Sequence, residues 1–400
     1  MDRFLSVRDV PVEGRRVFLR VDLNAPVRDG VLTDDTRLRA TAPTLADLLD
    51  RGAAVVVCSH MGRPKGQVVP GLSLRPVAER LRQLLPGRSL AFAADVIGPD
   101  ARARAAALKP GEALLLENVR FEPGETKGDE ALARALFALA PDHFVNDAFG
   151  AAHRPHASVF ALPKLYPQVS AGALLERELS YLLAKLGDPE RPYLAILGGA
   201  KVSDKIPVLQ SLVEKVDELC IGGSMAYTFL VAQGGDPGSS LVERDKVDMA
   251  RAILARASER GVAVHLPVDH VVATAIDDEA GARPMAGRDI PAGLEGFDIG
   301  PETARSYAQA VARAKTVLWN GPMGVFERTA FAGGTLTVAR ALADSTALSV
   351  VGGGDSVAAL YLAGVADRVS HISTGGGASL ELLAGDELPG VQVLTRVGGA

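Results

Sequence analysis

Four hundred residues exceed what one hydrophobic core usually organises, so two domains are expected. A hydrophobic share of 48% beside 23% charged residues excludes a disordered chain, and a net charge of -5 excludes a global basic field for nucleic acid or an anionic membrane. No apolar run approaches the ~18 residues of a membrane span, the N-terminus MDRFLSVRDVPVEG has no signal-peptide core, and Cys58 and Cys220 lack metal or CxxC spacing, so a cytoplasmic protein with reduced cysteines is expected.

In chain order, RVFLRV at 16–21 reads as a strand, and a helix is predicted over 36–51, where Leu38, Leu45, Leu48 and Leu49 recur at helical spacing. Asp34 or Asp35 would cap its start and Gly52 close its end. Strands at 53–58, 89–92 and 113–116 then alternate with helices at 74–85, 99–108 and 129–140, ahead of the run His143–Asp147. Leucines at 174, 175, 179, 182, 183 and 186 form a helical stripe, read as an interdomain helix over 174–187 between domains at 1–173 and 188–387.

The second half repeats the alternation. An apolar run at 194–197 stops at Gly198-Gly199, with a helix expected from Ser203. Strands are predicted at 218–221, 263–268, 316–319 and 348–351, and helices at 207–216, 224–233, 244–260, 301–314, 335–343 and 357–362. The segment 284–296, rich in proline and glycine, reads as an irregular excursion. Strand–helix alternation of this kind argues for parallel sheets covered on both faces, with ligands gathering beyond the carboxyl ends of the strands.

That rule gives the polar residues a common address. Asp22, Asn24, His60, Arg63, Arg120 and Arg154 all follow predicted strands, and Arg37 opens a helix. Guanidinium forks converging from separate strand ends suit a small polyanion, although each arginine alone reads as readily as a solvated surface residue. In the second half, glycine turns offer backbone N–H groups and helix N-termini to phosphate, with Lys201 and Lys205 expected to point at one anion. Asp355, in the run GGGDS, could hold magnesium beside a phosphate or simply cap a helix. Neither a P-loop nor an in-register dinucleotide fingerprint is present. His60 as a phosphohistidine carrier, and a two-lobed solute-binding protein, are the competing readings.

RVDLNAP at 20–26, TDDTRLRA at 33–40, SHMGRP at 59–64, ENVRF at 117–121, AHRPHAS at 152–158, GGAKVSDKI at 198–206, WNGPMGVFE at 319–327, GGGDS at 352–356 and STGGGASLELL at 373–383 together resemble the phosphoglycerate kinase family. One departure is Ser224, in IGGSMAYTF, where the family often has glycine. The resemblance implies an α/β chain of two similar-sized doubly wound parallel-sheet, Rossmann-like domains joined by a hinge helix, with the tail at about 388–400 returning to the N-terminal domain. It implies reversible, Mg²⁺-dependent transfer between 1,3-bisphosphoglycerate and ADP, giving 3-phosphoglycerate and ATP, by a monomer with no nucleic-acid or membrane partner. Carried over by motif, Asp22, Leu23, Asn24, Arg37, His60, Met61, Gly62, Arg63, Arg120 and Arg154 would bind the phosphoglycerate. Gly199, Lys201, Lys205, Asn320, Glu327, Gly353, Gly354, Asp355 and Ser356 would bind the nucleotide, with Asp355 on the metal. Arg37, Lys201 and the helix starts at Gly353 and Gly376 would stabilise charge on the moving phosphoryl group.

Overall fold

The structure, a computed structural model, describes residues 4–28 and 30–397, the last two by backbone alone. The chain divides into two compact units, Met1–Ser180 with Glu387–Ala400, and Tyr181–Asp386. Each is built on a six-stranded parallel sheet. In the first the order is Ser89–Phe92, Glu112–Leu115, Ala54–Cys58, Arg16–Val21, His143–Asp147, Val169–Ala171. In the second it is Ala263–His265, Glu218–Ile221, Tyr193–Leu197, Thr316–Asn320, Leu348–Gly352, His371–Ile372. Central strands such as Ala54–Cys58 and Tyr193–Leu197 are buried at every residue, which is why they read as unbroken apolar runs rather than alternating ones.

In both sheets the strand that comes early in sequence sits in the middle, and later strands are added first on one side and then on the other. The order reverses between Arg16–Val21 and His143–Asp147 in the first unit, and between Tyr193–Leu197 and Thr316–Asn320 in the second. Such reversals open a crevice past the carboxyl ends of the strands.

Several sequence expectations change. The excursion at 284–296 is not irregular throughout: Asp269–Ala273 pairs antiparallel with Arg283–Ala286 on one side and Glu295–Ile299 on the other. Pro284 is tolerated because Arg283–Ala286 is an edge strand, and this hid the sheet from pattern reading. The strand expected over 263–268 ends at His265, ahead of Pro267, which has no N–H for a ladder. The helix expected from Ser203 begins at Ile206 with Pro207 in its first turn, because the Ser203 amide and hydroxyl are both bound by the Glu243 carboxylate, at 3.0 and 2.5 Å. Neither aspartate caps the helix Thr36–Asp50 as a standard N-cap: Asp34 accepts from the Thr36 amide at 2.8 Å, while Asp35 is held by Arg39 and Arg80.

The leucine stripe at 174–187 is an α-helix, Ala173–Leu179, that widens into a π-helical stretch, Ser180–Lys185, and the boundary between the units falls within it. The first α-helical turns are anchored in the first unit by buried Asp147, whose Oδ1 accepts from the Leu175 amide at 3.0 Å. The tail re-enters the same unit as the helix Pro389–Val397; the Gly390 amide donates to the Ala152 carbonyl at 2.8 Å, and Asn146 Nδ2 donates to the Gly390 carbonyl at 3.0 Å. Residues 398–400 of the expected tail lie outside the described residues.

Candidate active site

The first unit gathers its polar residues past the ends of Arg16–Val21 and Ala54–Cys58. Asp22 leaves the first strand buried, and its Oδ2 accepts from Arg37 Nη1 at 2.7 Å. Asn24 Oδ1 accepts from the Gly62 amide at 2.8 Å, and the Ser59 hydroxyl accepts from the Leu23 amide at 2.8 Å, so the loops after the two strands are stitched together. Buried Asn118 holds Met61 from both sides, accepting from its amide at 3.1 Å and donating to its carbonyl at 2.8 Å. Arg120 Nη1 donates to the Gly62 carbonyl at 2.7 Å, while its buried Nε has no hydrogen-bond partner. Arg63 and Arg154 are exposed. His60 is buried, 5% exposed, with Nδ1 facing Arg20 Nη2 at 3.4 Å. With Nδ1 engaged and Nε2 only 4.0 Å from Asp22 Oδ1, a carboxylate that would repel a phosphoryl group, the phosphohistidine reading is disfavoured.

Electrostatically this is a cluster of charged guanidinium groups among neutral histidines. Burial pushes His60 well below its usual range, an effect that Asp22 opposes and Arg20, Arg120 and Arg37 reinforce. Burial likewise lowers His153 and His156 to about 4, with Arg154 and Arg120 adding to it. Burial alone would raise Asp22, but His60, Arg37 and Arg20 outweigh it and hold the carboxyl below the usual range. Because His60 is itself uncharged near neutrality, Arg37 is the partner that matters there.

The second unit places its residues at the reversal between Tyr193–Leu197 and Thr316–Asn320. Lys205 is buried and donates to the Asn320 carbonyl at 2.7 Å and to the Asn320 side-chain oxygen. Lys201 is exposed, whereas Lys205 is buried. The glycines divide into two kinds. A Cβ on Gly198 would lie 2.0 Å from the Pro322 carbonyl oxygen, and one on Gly321, at φ +97°, would lie 2.2 Å from the Gly198 carbonyl oxygen. These glycines let backbone pack on backbone. Gly354 and Gly376 face open space instead, and Gly353 meets only the Asn320 side chain at 3.1 Å. Gly353, at φ +91°, precedes the helix Gly354–Leu362, whose first turn carries exposed Asp355 and buried Ser356; Ser356 Oγ accepts from the Gly321 amide at 2.6 Å. Gly376, at φ +52°, precedes Gly377–Ala384, and Glu327 is exposed.

Residues 7–386 match the family model described as phosphoglycerate kinase. The chain is 52% identical over 400 residues to the phosphoglycerate kinase of Koribacter versatilis, covering 98% of this chain and 99% of that one. It is 54% identical over 392 residues to that of Moorella thermoacetica, covering 98% and 99%. The chain belongs to the phosphoglycerate kinase family. Solved structures agree: the phosphoglycerate kinase from Coxiella burnetii superposes with a TM-score of 0.89 at 40% identity over 99% of this chain and all of that one. The enzyme from Pyrococcus horikoshii gives 0.86 at 34%, covering 98% and 99%.

As a phosphoglycerate kinase the chain is a phosphotransferase with a carboxyl acceptor, and membership implies phosphoglycerate and ATP or ADP as substrates. No described helix is long and apolar enough to cross a membrane. Among the described residues no group of three or more His, Cys, Asp or Glu could hold a metal, so a divalent ion would rely on at most two such side chains and the nucleotide's own phosphates. Exposed Asp355, beside open Gly354, fits that donor set, which is the one magnesium favours. Residue patterns alone did not single out Arg20, Glu125 and Ser158, all fully buried beneath the arginine cluster; a charged residue inside the apolar run RVFLRV was the available signal.

Proposed function

We propose that the chain catalyses reversible in-line phosphoryl transfer from 1,3-bisphosphoglycerate to ADP, giving 3-phosphoglycerate and ATP, as a step of glycolysis and gluconeogenesis. The observation that supports this best is the split character of the two crevices: one lined by arginines and an acidic–amide pair, the other by open glycines at helix N-termini. In the first unit Asp22, Leu23, Asn24, Arg37, His60, Met61, Gly62, Arg63, Arg120 and Arg154 take the phosphoglycerate. In the second, Gly199, Lys201, Lys205, Asn320, Glu327 and Gly353 to Ser356 take the nucleotide.

An acyl phosphate has a good carboxylate leaving group, so the transfer needs no general base; charge on the moving phosphoryl group is the main demand. Arg37 and Lys201 meet that charge with guanidinium and ammonium groups, and the N-termini at Gly353 and Gly376 present backbone N–H groups. Asp355 would hold Mg²⁺, which when bound neutralises charge on the phosphate oxygens. Turnover on this reading includes hinge closure, which excludes water from the acyl phosphate. The protein acts as a cytoplasmic monomer.

A coupled assay with 3-phosphoglycerate and ATP is expected to show turnover that stops when Mg²⁺ is chelated. Absence of turnover with folded protein would sink the reading. Small-angle scattering should give a smaller radius with both substrates than without, and an unchanged profile would remove closure.

A further inference from the structure

Beneath the arginine cluster of the first unit lies a buried polar chain that substrate binding does not by itself require. Arg20 is fully buried in the strand Arg16–Val21. Its Nε donates to Ser158 Oγ at 2.7 Å, its Nη1 donates to the Val21 carbonyl, and its Nη2 reaches His60 Nδ1 at 3.4 Å. Glu125, also fully buried, receives the Ser158 hydroxyl at 2.7 Å and the Ser158 amide at 2.9 Å, and stands 3.9 Å from Arg20 Nη2. The order is therefore Glu125, Ser158, Arg20, His60. A buried guanidinium without a counter-charge would be strongly unfavourable, so Glu125 is what allows a charged Arg20 to sit behind the histidine.

The chemistry of that contact is one-sided. Guanidinium carries donors only, so His60 Nδ1 must be the acceptor, and a neutral imidazole that accepts at Nδ1 carries its proton on Nε2. Nε2 lies 4.0 Å from Asp22 Oδ1, too far for a hydrogen bond. The N–H therefore stands beside Asp22 Oδ1 without being consumed by it, while Arg37 meets the other carboxylate oxygen, Oδ2.

We propose that Glu125 and Arg20 are positioning residues that lock His60 in the Nε2–H tautomer, so that it enters the reaction cycle as a preformed neutral hydrogen-bond donor to an oxygen of the bound phosphoglycerate. The lock spares binding the selection of one tautomer from a mixture, and it keeps a donor available where burial disfavours a charged imidazole. The inference rests on the assignment of phosphoglycerate to this unit, but the tautomer itself is a property of the free protein.

The test combines three measurements on the full chain. Long-range ¹H–¹⁵N correlation spectra of the ligand-free protein should show His60 as the neutral Nε2–H form at pH 7; a proton on Nδ1, or an even mixture, overturns the lock. H60Q keeps an amide donor near the Nε2 position and H60N near Nδ1. H60Q should therefore hold the KM for 3-phosphoglycerate within a few-fold of wild type, while H60N raises it about tenfold to a hundredfold, the scale of one buried hydrogen bond to an anion. Equal effects of the two would overturn the donor role. E125Q should raise the same KM with the KM for ATP unchanged and shift His60 toward mixed tautomers; a folded E125Q with wild-type spectra removes Glu125 from the device. Should E125Q not fold, the wild-type spectra and the H60Q and H60N pair still decide. Failure of the wild-type coupled assay would instead reject the kinase reading and leave the spectra standing.

Discussion

The Lys205 ammonium lies 2.7 Å from the Asn320 carbonyl oxygen and also donates to the Asn320 side chain, although the two residues are separated by 115 positions. This one cation joins the turn after Tyr193–Leu197 to the end of Thr316–Asn320, across the reversal of the second sheet. Burial lowers Lys205 to about 8, with Asp355 and Asp204 opposing the shift. Below that value the lysine is charged and, on the proposed assignment of the nucleotide to this unit, favours its anionic phosphates; above it the charge is lost. The dissociation constant of MgATP, measured by calorimetry, should rise about tenfold per pH unit above pH 8 and be flat below it. In Lys205→Met the dependence should vanish. A wild-type constant that is unchanged between pH 7 and 9.5 would remove Lys205 as a titrating contact.

Two glycine substitutions separate packing from ligand approach. Gly321→Ala must place a Cβ 2.2 Å from the Gly198 carbonyl oxygen at φ +97°, and is expected to destabilise the second unit by roughly 3 kcal/mol or more. Gly354→Ala meets nothing within 4 Å and lies in a helix, so stability should be unchanged or higher by about 0.5–1 kcal/mol. If Gly354 faces the nucleotide, that variant should bind ATP more weakly while melting no earlier than wild type. Thermal melts paired with calorimetry read both effects, and unchanged ATP affinity in Gly354→Ala would place the ligand elsewhere.

Arg37 is part-buried and paired with Asp22, and the proposed mechanism assigns it to the moving phosphoryl group. Arg37→Ala should cost about 3–5 kcal/mol of barrier, on the order of 10²–10⁴ in rate, by analogy with a removed catalytic arginine or oxyanion donor. A loss under threefold in kcat/KM, with folding intact, would take Arg37 out of the mechanism.

Asp147 ties the start of the connecting helix to the first sheet, and burial raises its carboxyl to about 7, against the pull of Thr44 and the Leu175 and Leu174 amides. The folded state thus holds a proton that the unfolded chain releases near pH 4, so this group lowers stability as pH rises from about 4 to 7. Asp147→Asn keeps an acceptor for Leu175 and removes the titration. The urea midpoint of the variant relative to wild type should be higher at pH 8 than at pH 5. A difference that is the same at both values would mean that Asp147 is ionised throughout.

The alternation of buried runs and glycine turns was legible in the residues, because a strand covered on both faces must be apolar at every position. So was the gathering of Asp22, Asn24 and the arginines past strand ends, since that follows from where parallel sheets leave room. Which glycines face backbone and which face open space was not legible: Gly198 and Gly354 both lie in glycine turns that follow apolar runs, and the approach of Pro322 and Met323 to Gly198 distinguishes them. Lys201 and Lys205 share a turn, yet the partner that draws Lys205 inward comes from 115 residues away. Arg20 is a charged residue inside an otherwise apolar stretch of strand, and its counter-charge, Glu125, opens a 3-10 helical turn 105 positions away. Local pattern determines where chain is buried, because burial periodicity is written into neighbouring residues. The partner of a buried charge is set by strand order and crossover, which bring remote segments together, and only the tertiary structure decides that.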